Sequence, residues 1–149
     1  MLYLDTSALV KKYFQETGSD EVRDCISSHA WVATSTIARA EAAATFAKAV
    51  RLGILAEAAA MSGHQLFLRE WKNYIRIRVT ESLVARADDI AWAFALRGYD
   101  AIHLAAALEW HDRAGEAVTV ATFDQDLWRA AGEAGLDLFP ASLARHPAY

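Results

Sequence analysis

Asp5 and Asp124 each close a short apolar run and precede a helical pattern, which puts both carboxylates at the carboxyl ends of strands. In open parallel sheets that end is where ligands bind. Aspartate is also a favoured helix N-cap, and for either residue taken alone the cap is the stronger reading. Asp126, two residues on, reads as a first-turn charge that complements the helix dipole, with support of a site as its alternative. Asp100 opens the run Ala101-Ile102-His103-Leu104-Ala105-Ala106-Ala107 and is a further cap candidate. That run is nearly all apolar, so its helix is central and its start points into the protein. A carboxylate there is desolvated unless a partner meets it. Glu41 is the least comfortable acid: it lies on or beside an alanine face with Ile37, Ala40, Ala44 and Lys48. Pairing with Lys48 or Arg51 would make it an ordinary boundary residue.

Caps account for three acids at helix starts and leave the fourth unexplained. If the strands carrying Asp5 and Asp124 are neighbours, the carboxylates converge, and Asp100 and Glu41 can reach the same crevice. Crowded carboxylates raise one another's pKa. A hard divalent cation relieves that repulsion, and oxygen ligands suit Mg²⁺ or Mn²⁺; no EF-hand loop points to calcium. Such a cluster hydrolyses a phosphodiester through metal-activated water, without a nucleophilic side chain. Thr6, beside Asp5, is placed to hydrogen-bond the attacking water or a carboxylate, or else to help cap the first helix; Thr122 has the same two readings.

The elements that must position these residues alternate along the chain. Met1 to Leu4 is a buried strand feeding a helix that carries Leu9, Val10, Tyr13 and Phe14 as far as Gly18. A polar helix spans Ser19 to His29 with Val22, Cys25 and Ile26 inward, and Trp31 to Thr34 is a strand. Ser35 or Thr36 caps a helix running to about Leu52, and a second helix from Ala56 to Trp71 completes a long, protruding helical hairpin. In Tyr74 to Val79, Ile75, Ile77 and Val79 alternate with Tyr74, Arg76 and Arg78. This is an edge strand buried on one side. A helix from Ser82 stops at Gly98, the next runs from Asp100 to Ala114, and Ala117 to Thr122 is a strand. A last helix begins at Asp124, and Leu136 to Phe139 is a final strand. The pattern predicts one α/β domain over residues 1–149: a parallel sheet flanked by helices in three layers.

A formal charge of -4 argues against a broad basic face for nucleic acid, though not against an acidic metal pocket that meets nucleic acid at one point. The single cysteine, Cys25, suggests a reducing, cytoplasmic setting. No basic region and apolar stretch mark a signal peptide, and no segment is apolar enough to span a bilayer. None of His29, His64, His103, His111 and His146 has a second ligand at zinc spacing. His103, one turn after Asp100, reads as a packed or surface residue, with contact to the site as its alternative. No phosphate loop or nucleophile elbow is present. Arg76 and Arg78 fit RNA phosphates or a solvated edge equally well. Leu55, Leu66, Phe67, Leu68 and Trp71 exceed what their helix needs for a core and suggest an interface.

These motifs together resemble the PIN-domain ribonucleases, specifically VapC-type toxins of VapBC toxin–antitoxin systems. The matching segments are Leu4-Asp5-Thr6-Ser7-Ala8-Leu9, Ala40-Glu41, Arg97-Gly98-Tyr99-Asp100-Ala101-Ile102-His103-Leu104-Ala105 and Ala121-Thr122-Phe123-Asp124-Gln125-Asp126-Leu127. The resemblance implies sheet order 3-2-1-4-5 and Mg²⁺- or Mn²⁺-dependent endoribonuclease activity, with metal ligands at Asp5, Glu41, Asp100 and Asp124. It also implies a homodimer and a small antitoxin whose tail covers the site. The segment from Gly53 to Tyr74 is long for the family. A PIN nuclease of RNA processing without a toxin role, and a silent module that captures a basic peptide in the acidic pocket, are the alternatives.

Overall fold

The computed structural model describes residues 1–143; residues 144–149, which include His146, lie outside the described part. Five parallel strands form one sheet in the order β3-β2-β1-β4-β5: β1 Leu2–Leu4, β2 Val32–Ser35, β3 Ile75–Ile77, β4 Thr119–Ala121 and β5 Asp137–Phe139. The chain builds outward from β1 to β3, then crosses back to place β4 on the other side of β1. That reversal opens a crevice at the carboxyl ends of β1 and β4. The register Leu4↔Ala121 leaves Asp5 and Thr122 side by side as the chain exits.

Strand alternation divides the core between the two faces. Tyr3, Ala33 and Val120 face α5 (Glu81–Phe94), α6 (Gly98–Ala114) and α7 (Gln125–Glu133), where Leu83, Leu104 and Leu127 are fully buried. Leu2, Leu4 and Ala121 face α1 (Thr6–Leu9) and the hairpin of α3 (Ala38–Arg51) and α4 (Glu57–Glu70). α2 (Ser19–Ser27) packs beside the turn that follows α1. β1 is buried on both faces, as a central parallel strand must be. The far end of the hairpin exposes Leu52 and Ile54.

Several boundaries differ from those expected. The first helix is only Thr6–Leu9; Val10–Lys12 then tightens to a 3₁₀ turn. The tightening turns Tyr13 toward Glu70 and Tyr74 (2.8 Å each) and Phe14 edge-on to Phe46. Neither Ser35 nor Thr36 caps α3: Ser35 ends β2, and the Thr36 hydroxyl accepts the Val79 N–H (3.4 Å). Tyr74 is buried, because the hairpin covers that face of β3, while Arg76 and Arg78 are exposed as expected. Phe67 and Trp71 belong to the same core and not to a free interface. Among the described residues, no helix is long and apolar enough to cross a membrane.

The largest shift concerns Gly98. α5 ends earlier, at Phe94, through Ala95 in the left-handed region (φ 55°), and Gly98 begins α6 with Arg97 as its N-cap. Asp100 is therefore inside the first turn of α6, not its cap.

Candidate active site

The crevice at the sheet reversal is a cleft of about 540 Å³ whose lining includes Asp5, Thr6, Glu41, Asp100 and Asp124, with Ser7, Lys11, Lys48 and Arg97. The expected site residues thus come together from four separate segments. Asp5 caps α1, with Oδ1 accepting the Thr6 N–H (2.6 Å) and Oδ2 accepting the hydroxyls of Ser7 (2.6 Å) and Thr122 (2.8 Å). The Ser7 hydroxyl in turn accepts the Phe123 N–H (2.9 Å), tying the exit of β1 to that of β4. Asp124 caps α7, with Oδ1 accepting the N–H groups of Asp126 and Leu127 (3.0 Å each). For these two residues cap and cleft are the same position: the hydrogen bonds that start each helix also aim its carboxylate. Asp126 is exposed and occupies the first turn of α7, as its dipole reading requires.

Glu41 pairs with neither Lys48 nor Arg51. Its Oε2 accepts the Thr6 hydroxyl (2.6 Å) and the His103 Nε2–H (2.7 Å). Burial alone would raise the Glu41 pKa, but the His103 and Thr6 hydrogen bonds outweigh it and hold the carboxyl below its ordinary value. Thr6 therefore serves a carboxylate rather than the α1 cap.

His103 is buried in the site, where its Nδ1 meets the Tyr3 hydroxyl (2.9 Å) and Nε2 lies 3.6 Å from Asp5 Oδ1. Burial would lower its pKa; the Glu41 bond, then the charges of Asp5, Glu41 and Asp100, raise it instead. Its one-turn offset from Asp100 was the available signal, whereas Tyr3 reads only as a buried strand residue.

The Asp100 pKa is raised from its ordinary value, first by burial and then by the charges of Asp124 and Asp5, against the pull of Arg97. Arg97 spans two of the acids. Its Nε donates to Asp100 Oδ2 (2.8 Å) and a terminal nitrogen donates to Asp124 Oδ2 (2.6 Å). Sequence reasoning gave Arg97 and Ser7 no individual role; both stood within the quoted motifs, adjacent to or within helix starts.

The donor chemistry fits Mg²⁺ or Mn²⁺: the four expected carboxylates line one cleft, with Glu16, held by Lys11 (3.0 Å), as a fifth beside them, and Glu41 Oε1 and Asp100 Oδ1 accept none of the bonds just described. As the side chains stand, no three His, Cys, Asp or Glu groups among the described residues share a point suited to one ion. Arg97 draws Asp100 and Asp124 to itself, and His103 draws Glu41.

Residues 2–133 match the family model of the PIN domain. Two Mycobacterium tuberculosis proteins, Ribonuclease VapC45 and Ribonuclease VapC49, are each 32% identical over 148 residues, covering 96% of this chain and 97% of theirs. A chain of a toxin–antitoxin complex from Klebsiella pneumoniae has a similar fold, with a TM-score of 0.65 at 16% identity, over 97% of this chain and 100% of that one.

Proposed function

The chain belongs to the PIN-domain family, in company with VapC ribonucleases, and from that premise we propose that it is a metal-dependent endoribonuclease acting as the toxin of a toxin–antitoxin pair. The observation that carries the reading is the meeting of Asp5, Glu41, Asp100 and Asp124, from four segments, in one cleft at the carboxyl ends of β1 and β4. These four would hold Mg²⁺ or Mn²⁺, which supplies an activated water and offsets charge on the scissile phosphate.

The chain's own residues do the positioning. Ser7 and Thr122 fix the Asp5 carboxylate by hydrogen bonds to Oδ2, and Thr6 and His103 hold Oε2 of Glu41, which leaves its other oxygen free of those bonds. The similar ribonucleases and the toxin–antitoxin complex of similar fold support RNA as substrate and a small antitoxin as partner. Homodimer assembly and a cytoplasmic setting belong to the same reading, the first from the family resemblance and the second from the single thiol of Cys25.

The test is cleavage of RNA by the purified protein with Mg²⁺ or Mn²⁺, expected to stop with chelator and to be abolished by Asp5→Asn or Asp100→Asn with the circular dichroism spectrum kept. Cleavage that survives chelation or both substitutions refutes the metal site. Expression without a partner is expected to arrest growth; unimpaired growth removes the toxin role. Light scattering checks the dimer.

A further inference from the structure

Arg97 holds an unusual place for a surface cation. One guanidinium bridges Asp100 and Asp124, which sit in the first turn of α6 and at the cap of α7. The acids are anchored, with side chains 14% and 25% exposed, while the Arg97 side chain is 73% exposed. Its backbone is fixed as the cap of α6, with its carbonyl accepting the Ala101 N–H (2.9 Å). The movable partner is therefore the cation. Ion pairs to so exposed a cation hold weakly against water, so the guanidinium can leave at low cost.

On the reading above, Asp100 and Asp124 are also ligands for a divalent cation. Two cations competing for the same pair of carboxylates repel each other at a few ångströms, and one must yield. Of the two lysines that line the cleft with Arg97, Lys11 starts from bonds to Glu16 (3.0 Å) and the Thr17 carbonyl (2.9 Å) and Lys48 from the last turn of α3, and among the described residues neither pairs with Asp100 or Asp124. A guanidinium also presents the planar fork that matches a phosphate.

Resting on that metal-site reading, we propose that Arg97 is the resident counter-ion of Asp100 and Asp124, and that its guanidinium leaves them when the divalent cation loads and takes a phosphate of the RNA backbone. The arginine thus guards the empty site against charge repulsion and becomes a substrate-positioning residue in the loaded one.

The experiment is calorimetric titration of the full chain with Mn²⁺, in wild type, Arg97→Gln and Arg113→Gln. The last loses the same charge near the other end of α6, where Arg113 pairs with Glu109 (2.9 Å). Arg97→Gln is expected to bind Mn²⁺ about three- to tenfold more tightly, and Arg113→Gln to bind as wild type. At saturating Mn²⁺, Arg97→Gln should raise the KM for RNA by about five- to tenfold. Arg97→Lys, which keeps the charge but not the fork, should fall between in Mn²⁺ affinity and guards against a folding defect. Unchanged or weaker Mn²⁺ binding in Arg97→Gln, equal tightening in Arg113→Gln, or an unchanged KM overturns the proposal while leaving the metal site standing. Wild type that binds no Mn²⁺ sinks both.

Discussion

Glu41 differs from an ordinary boundary glutamate in having two donors on a single oxygen. Whichever charge the His103 ring carries, Nε2–H donates to Glu41, and the Tyr3 hydroxyl completes the ring's other nitrogen in a buried setting. Tyr3→Phe keeps the shape and removes that bond. It should cost about 1–3 kcal/mol in urea unfolding, because Nδ1 is left buried without its partner. Cleavage should fall about tenfold, as expected when a group orienting a ligand is lost. Unchanged activity in a destabilised protein would reduce His103 to packing. Asp100 gives a prediction of the opposite sign. Burial, then Asp124 and Asp5, raise its pKa, so the stability it contributes is present below its unfolded pKa and lost as pH rises through the folded one. At pH 7 the ionised form costs stability, and Asp100→Asn should raise the Tm of the metal-free protein by about 2 °C while abolishing cleavage. The advantage should vanish in acid, where the native residue is also neutral. A variant that melts lower at neutral pH would mean that Asp100 serves the helix start more than the cleft.

At the level of elements, strand ends were legible and helix starts were less so. Apolar runs ending in Asp5 and Asp124 are unambiguous because a central strand must be buried on both faces, and the caps that follow use the same carboxylates. The α5–α6 junction was misread because Gly98 looks like a stop signal, whereas the turn is made by Ala95 at φ 55° and Gly98 merely tolerates the first helical position. An alanine in the left-handed region has no local signature, since only the packing of two adjacent helices demands it. The error concealed the place of Asp100 inside the first turn, and with it the geometry that lets Arg97, as cap, reach back to it. Likewise, nothing about Glu41 on its own helix announces His103, because their contact exists only where α3 and α6, from opposite faces of the sheet, converge beyond the carboxyl ends of the strands. Ala95 supplies its own test. Glycine takes the left-handed conformation without the Cβ clash, so Ala95→Gly should stabilise the protein by about 0.5–1 kcal/mol in urea unfolding. A loss of stability would show that the Ala95 methyl contributes more by packing than its backbone costs.

For the whole molecule, the net charge of -4 and the acidic cleft set the terms on which a polyanion can be handled. A net negative charge works against a broad basic face that would steer RNA. The cations at the cleft are Lys11, Lys48 and Arg97, while Arg76 and Arg78 line a separate groove beside the edge strand. Affinity for single-stranded RNA falls with salt by roughly 0.7 per phosphate contact on a log–log plot. If the three cleft cations are the whole electrostatic contact, the slope of log KM against log salt should be about 2 at fixed, saturating Mn²⁺. The measurement also decides the role of the edge arginines. With Arg76 and Arg78 engaged as well, the slope steepens to about 3.5, and the double substitution Arg76→Gln with Arg78→Gln brings it back toward 2. A slope of 2 that the double substitution leaves untouched assigns those arginines to guarding the sheet edge against unwanted pairing. A slope near zero would contradict substrate capture by these cations altogether, and with it the substrate half of the part proposed for Arg97.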